Sequence, residues 1–248
     1  MPMSAAIANT GKARGQWLAA LITSLLFLTV CLSWGTTWLG IKIAVETVPP
    51  LTASGLRFLI AFPLFLTFAL IRGDSIFFPR SHLGFFVFVT LGYFSLPYYL
   101  LNYGETHVSS GLTALLFSCM PVFILIFSAL FLRERIYLSQ VVGIGIGFAS
   151  LFMILRSQGL SLAHDEFSGV LAILAAAVMH ALCYVVTKKQ GAEISVITYN
   201  TLPIGLAGMM LCLVGLGVEQ PDFATISTRA WMALTLSLIH ISEPTRQE

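Results

Sequence analysis

Seven long apolar runs follow one another from about residue 17 to residue 217, separated by short polar gaps. Each is about 18 to 25 residues, the length at which an α-helix rising 1.5 Å per residue crosses about 30 Å of hydrocarbon. This rhythm predicts an all-α fold, a polytopic membrane helix bundle. The expected spans are 17–41, 51–71, 82–102, 109–131, 138–155, 167–187 and 195–217. Between them lie Pro49-Pro50, Arg72-Gly73-Asp74, 102–110, Arg133-Glu134-Arg135, 156–166 and 188–193, and a further break at 219–222 follows the last.

Composition agrees with a chain immersed in lipid. It is 57% hydrophobic and only 10% charged, against about 25% charged in a soluble domain. A net charge of +2 is too small to argue for nucleic acid as a partner. Cys31, Cys119, Cys183 and Cys212 all fall within apolar runs, with neither metal-ligand spacing nor a disulfide framework. Lys12 and Arg14 precede an apolar run, as in a signal peptide. That run is too long for a signal core and lacks a small-x-small cleavage site, so it reads as the first membrane helix.

An eighth apolar run, from Ala230 to Ile241, is too short to span. The string Leu236-Ser237-Leu238-Ile239-His240-Ile241-Ser242-Glu243-Pro244-Thr245-Arg246 resembles an in-frame translation of a sequencing adapter. Residues 236–248 are therefore expected to be a non-native tail, with the natural protein continuing differently. His240, Glu243 and Arg246 carry no functional weight on this reading.

Lys12, Arg14, Arg72, Arg80, Arg133, Arg135, Lys188 and Lys189 fall on one side of the expected membrane, whereas Lys42, Arg156 and Arg229 fall on the other. The positive-inside rule then puts the N-terminus, residues 1–16, in the cytoplasm of a cell whose inner (plasma) membrane holds the protein.

Trp34, Trp38 and Lys42 recur at i, i+4 and i+8, and so do His180, Tyr184 and Lys188, one side of the membrane exchanged for the other. A repeat displaced by five helices must be inverted, because five is odd. Inverted repeats are typical of secondary transporters that bind substrate near the midplane. Aromatic residues near helix ends are common, so this spacing alone leaves chance similarity open.

A longer pattern supports the repeat. It begins Gly104-Glu105-Thr106-His107-Val108-Ser109-Ser110-Gly111, passes Met120-Pro121, reaches Leu132-Arg133-Glu134-Arg135-Ile136, and continues Gln140-Val141-Val142-Gly143-Ile144-Gly145-Ile146-Gly147. It resembles the EamA family of the drug/metabolite transporter (DMT) superfamily, in which a helix with a mid-membrane proline ends in a Glu-Arg pair before a glycine-rich helix. Ser33-Trp34-Gly35 with Lys42, and Arg57-Phe58, match the start of that repeat. The resemblance covers residues 17 to about 235 and is best from 34 to 155. It implies ten helices in two inverted five-helix repeats. Here the first repeat would be 17–155 and a partial second 167–235, about seven and a half helices in all. The absent helices help close the central cavity in that family, so the chain is expected to be a fragment.

Polar and aromatic groups inside a bilayer face protein or a wet cavity rather than lipid. Trp34, Thr37 and Trp38 on the first run, Tyr99 and Asn102 on the third, and His180 and Tyr184 on the sixth are therefore candidate cavity residues for an amphiphilic small molecule. The alternative is an interfacial aromatic belt with interhelical hydrogen bonds. His180, the most central ionisable group, is a candidate carrier of a coupling proton, or else a satisfied packing residue. Arg57 can snorkel outward, pair with Glu46 or face an anionic substrate, the first two being preferred. Pro121 removes a backbone hydrogen bond and serves as a hinge candidate. Gly143 and Gly147 permit close helix approach within the chain, or in a homodimer. Arg133, Glu134 and Arg135 form a charge cluster that anchors a helix end.

No P-loop, nucleophile elbow, zinc-protease motif or paired intramembrane aspartates occur, so neither an enzyme nor a cofactor is indicated. The expected function is secondary transport of small metabolites or amino-acid-like compounds, more specifically export, by alternating access. A non-transporting scaffold or sensor, and less so an enzyme acting on lipid-linked substrates, are the alternatives. The orientation is testable: a reporter fused after Arg72 is expected to be active only as a cytoplasmic fusion, and activity of an exported reporter there would reverse the topology.

Overall fold

A computed structural model of the chain describes residues 3–157, 164–191 and 193–241, and among these the regular structure is entirely helical. Helix α1 is Met3–Val45, α2 Pro50–Arg72, α3 Leu83–Phe88, α4 Leu96–His107, α5 Ser110–Phe117, α6 Met120–Leu132, α7 Leu138–Ser157, α8 His164–Gln190, α9 Val196–Val218 and α10 Thr228–Ile241. A short 3-10 turn, Arg80–His82, precedes α3, and a π-helical segment, Val89–Ser95, joins α3 to α4. Two compact units result: Met1–Thr37, which holds most of α1, and Trp38–Glu248.

Six described segments are long and apolar enough to cross a membrane: Ala20–Val45, Pro50–Arg72, Arg80–His107, Ser110–Phe131, Glu166–Gln190 and Val196–Val218. They match six of the seven expected spans. The remaining one, 138–155, is present as α7, whose apolar part, Leu138–Ile154, is shorter than these six. The expected adapter-like tail divides: 236–241 continues α10, and 242–248 lies outside the described residues.

Helix ends follow local chemistry. Pro50 opens α2 at a position where a missing N–H costs nothing. Gly73 closes it with φ 67°, donating to Leu70 O, while the Asp74 N–H returns to Ala69 O. That left-handed cap suits a residue without Cβ. The side chains of Ser109 and Ser195 accept from the Leu112 and Thr198 N–H groups and start α5 and α9. Pro121 has no N–H for the turn before it, and the helix expected over 109–131 is interrupted at Ser118-Cys119, between α5 and α6.

The most intimate packing in the second unit is between α2 and α9. The pairs Thr52/Gly215, Gly55/Cys212 and Phe62/Gly205 face one another, so the helices run antiparallel. A Cβ on Gly55 would lie 2.5 Å from Cys212 Sγ and 2.6 Å from Cys212 N, and one on Gly208 3.0 Å from Leu59 N. These contacts leave no room for a side chain. In lipid, where helices gain little by burying apolar surface, such backbone proximity supplies the dispersion contacts that hold a pair. Helices α4 and α8 repeat the device: a Cβ on Gly104 would collide with Ile173, and one on Gly169 would lie 2.7 Å from His107 Cβ.

Gly143 and Gly147, expected as packing residues, lie differently: a Cβ on either would meet nothing within 4 Å. The small-residue spacing is there, but no described element is seated against it. Close packing instead uses Gly55, Gly205, Gly208 and Gly215.

Helix ends are also tied across the second unit. The Glu219 carboxylate accepts from Leu51 N at 2.8 Å, Thr52 N at 2.9 Å and the Thr52 hydroxyl at 2.8 Å, so it caps the otherwise open N–H groups of α2. Lys42 Nζ donates to the carbonyls of Glu105 and, at 2.9 Å, Val108, at the C-terminal end of α4.

The glycine seam makes a direct prediction. Gly55→Leu or Gly208→Leu is expected to lower stability by about 3 kcal/mol or more through overpacking, while Gly143→Leu and Gly147→Leu stay near wild type. Thermal melts of the detergent-purified protein distinguish these outcomes.

Candidate functional site

Position 57 is the one Lys or Arg among the described residues that is buried, at 2% exposure on α2. Its Nε, Nη1 and Nη2 have no hydrogen-bond partner among the described residues. The guanidinium lies 5.2 Å from the centre of the Tyr98 ring, a cation–π contact. It lines a cavity of about 10 Å³ with Asn102 of α4, Gly40, Ile41 and Ala44 near the end of α1, and Ala233 and Leu234 of α10. Both preferred expectations for Arg57 are thus corrected. The head does not snorkel, and Glu46 is exposed with no ion pair to it. On the second turn of α2, it is enclosed by α4 and α10.

Aromatic rings extend inward from this cation. Tyr98 is 5.2 Å from the His180 ring, His180 5.4 Å from Phe117, and Phe117 5.0 Å from Trp38. Tyr93 also meets His180 at 5.2 Å. Residues 93 and 98 are five apart and would diverge on a regular α-helix, where neighbours along one face are three or four apart. The π turn of Val89–Ser95 carries wider i→i+5 spacing and lets both tyrosines reach the same imidazole. His180 is itself buried, and its Nδ1–H donates to Ala176 O at 2.9 Å. That bond assigns one ring nitrogen to the helix and leaves Nε2 as its other polar atom.

Asn102 is buried on the same side. Its Nδ2 donates to Ser54 Oγ at 2.7 Å and to Pro50 O at 3.3 Å, and the Ser54 hydroxyl donates to Pro50 O at 2.8 Å. Glu105, one turn on, is fully buried beside Lys42 and Thr113.

Of the seven expected cavity residues, then, Asn102 and His180 come close to Arg57 and Tyr98, while Trp38 packs against Phe117 at 5.0 Å, further along the chain of rings. Tyr99 lines a separate, largely apolar recess of about 370 Å³ with Leu51, Leu96, Met179 and Met210. Tyr184 lines a groove of about 630 Å³ between α6, α7 and α8, together with Pro121, Glu134, Gly143, Gly147 and Lys188. Trp34 and Thr37 belong to the first unit, where the Thr37 hydroxyl donates to Ser33 O at 2.8 Å. Glu134 pairs with Lys188 at 3.0 Å, joining the ends of α6 and α8; both side chains are about half exposed, so the pair contributes little stability. Arg133 caps α6 with φ 57°, and Arg135 is exposed.

Sequence reasoning passed over Tyr93, Tyr98, Phe117 and Ser54. An available signal was Arg57 itself, the one charged residue inside the second run before Arg72. The π turn that gathers the two tyrosines has no comparable mark in the sequence. The buried Asn102–Ser54 link is testable: Asn102→Ala leaves Ser54 Oγ without its donor and is expected to cost about 1 kcal/mol, read as a lower melting temperature that Ser54→Ala on the same background partly restores.

Comparison with known proteins places the chain in a family. The model of the EamA-like transporter family matches residues 21–156. Protein PagO of Salmonella typhimurium is 40% identical over 210 residues, 85% of this chain and 69% of that protein. An uncharacterized transporter of Buchnera aphidicola subsp. Schizaphis graminum is 37% identical over 214 residues, covering 86% and 71%. The uncharacterized inner membrane transporter YedA of Escherichia coli is 30% identical over 186 residues, 75% of this chain and 56% of that protein. A solved crystal structure superposes with a TM-score of 0.65 at 22% identity over 87% of this chain and 73% of that one, a likeness of fold.

Proposed function

The chain belongs to the EamA-like transporter family, and on that footing we propose that it is a secondary transporter of small metabolites or amino-acid-like compounds, working as an exporter by alternating access in the inner membrane. The observation that carries this reading is the enclosed set Arg57, Tyr98, Asn102 and His180. A helix bundle built only to sit in lipid has no use for an unpaired guanidinium and a histidine in its interior, because burying such groups opposes folding.

In this mechanism the five-helix repeat of residues 17–155 and the partial repeat of 167–235 are inverted copies. Helices α2 and α9 are their second members, and their antiparallel seam fits that relation. One repeat rocks against the other about the enclosed set, with the break at Ser118-Cys119 before Pro121 as a flexible point. Substrate affinity in the inward- and outward-open states differs only modestly, since a large difference would trap the substrate on one side. The N-terminus lies in the cytoplasm, where Lys12, Arg14, Arg72, Arg133 and Lys188 favour retention.

His180 carries the coupling proton in this scheme, through the ring nitrogen not bonded to Ala176. Reconstituted into proteoliposomes, the protein is expected to exchange labelled amino acids or related metabolites and to accumulate them under an imposed pH gradient. His180→Ala then abolishes gradient-driven accumulation and spares exchange. A variant that retains both would remove His180 from coupling, and wild-type vesicles as tight as protein-free ones would remove the transport reading.

A further inference from the structure

Arg57 has the chemistry of a binding group whose ligand is not protein. A buried guanidinium is normally held by carboxylates or carbonyls that use its five N–H donors. Here none of its three nitrogens has an acceptor among the described residues, and no carboxylate lies within ion-pair distance. The other buried charged residue, Glu105, is beside Lys42 instead. Tyr98 offers only its ring face. The adjoining cavity of about 10 Å³ has room for about one water, which accepts too few hydrogen bonds to satisfy the group. This conformation is therefore closed over an unsatisfied cation.

Resting on the transport reading above, we propose that Arg57 receives the carboxylate of the transported molecule, so the substrate class is small organic monocarboxylates, amino acids included. A planar guanidinium matches a carboxylate with two parallel N–H···O bonds. A single buried cation compensates one negative charge, whereas a phosphate monoester brings about −1.5 to −2. Asn102 shares the cavity wall, and giving up its long 3.3 Å bond to Pro50 O frees one N–H for the same anion. The rings of Tyr98, His180 and Phe117, packed on one another behind the cation, suit an apolar side chain of the substrate once the closed conformation opens. Opening between α10 and α2 exposes the cavity, whose wall includes Ala233 and Leu234.

The experiment uses the full chain in proteoliposomes, loaded for counterflow with matched probes: L-phenylalanine and L-leucine, their carboxamides, 3-phenylpropanoate, its amide, and putrescine. Wild type is expected to favour each acid over its amide by about tenfold or more. Arg57→Met loses that preference and Arg57→Lys keeps part of it. Melting without any probe supplies the second readout. A guanidinium with no hydrogen-bond partner among the described residues predicts that Arg57→Met melts at or above wild type, because an apolar side chain removes an uncompensated buried charge. A lower melting temperature for Arg57→Met would mark a structural arginine and overturn the proposal. So would an acid preference that survives in Arg57→Met, or flux confined to amides or putrescine; in either case transport itself would stand. No flux of any probe would remove the transport reading and this inference with it.

Discussion

The approach of α2 to α9 is the contact on which the rest of the second unit depends. Gly55 on one helix and Gly208 and Gly215 on the other bring two backbones together, Gly205 makes room for the Phe62 ring, and the Glu219 carboxylate locks the N-terminus of α2 at one end of the seam. In hydrocarbon the hydrophobic effect does not distinguish one helix partner from another, so shape and polar pairing must do so. With that face of α2 committed to α9, Arg57 and Phe58 turn toward α4, and Phe58 packs edge-on against Phe94 at 5.7 Å and Tyr98 at 4.9 Å.

From that arrangement follows a balance between stability and use. Polar groups in the interior are mostly bonded, within their helix or across to a neighbour: Asn102 to Ser54, Thr201 to Ile197 O, Ser95 to Thr90 O. Such pairing removes most of the penalty for burying them. Arg57 departs from this economy, and proteins accept such departures chiefly where function requires a group ready for a ligand. The aromatic wall beside it is polarizable and rigid, and it stabilises the cation through a ring face without consuming an N–H donor.

Family membership and these contacts complement each other. The EamA-like match and the relatives named as transporters establish the class of protein. Interior polar residues of such a protein can tie helices together or stand ready for a ligand. Two cations illustrate the division. Lys42 is spent on backbone carbonyls at the end of α4, a structural tie, whereas Arg57, fifteen residues on, has its donors free of the described protein.

How much could be read in advance follows from what each signal depends on. Length and apolarity of a run are local properties, and the bilayer thickness turns them into helices; the six spans, the all-α class and the family were therefore legible from residues in order. Capping by Gly73 and Ser195 is local too. Partner choice is not: Gly143-x-x-x-Gly147 has the spacing of a packing motif and stands open, because a small-residue stripe acts only where another backbone meets it. Likewise Asn102 and His180 looked equivalent to Trp38, Tyr99 and Tyr184 as intramembrane polar or aromatic residues, yet only the first two share Arg57's surroundings. The sequence by itself determined that this chain crosses a membrane as helices, since hydrogen bonding in hydrocarbon permits little else. Only the tertiary structure decided that Arg57 is enclosed without an acceptor among the described residues, because that depends on how four helices, distant in sequence, rotate and close around one side chain.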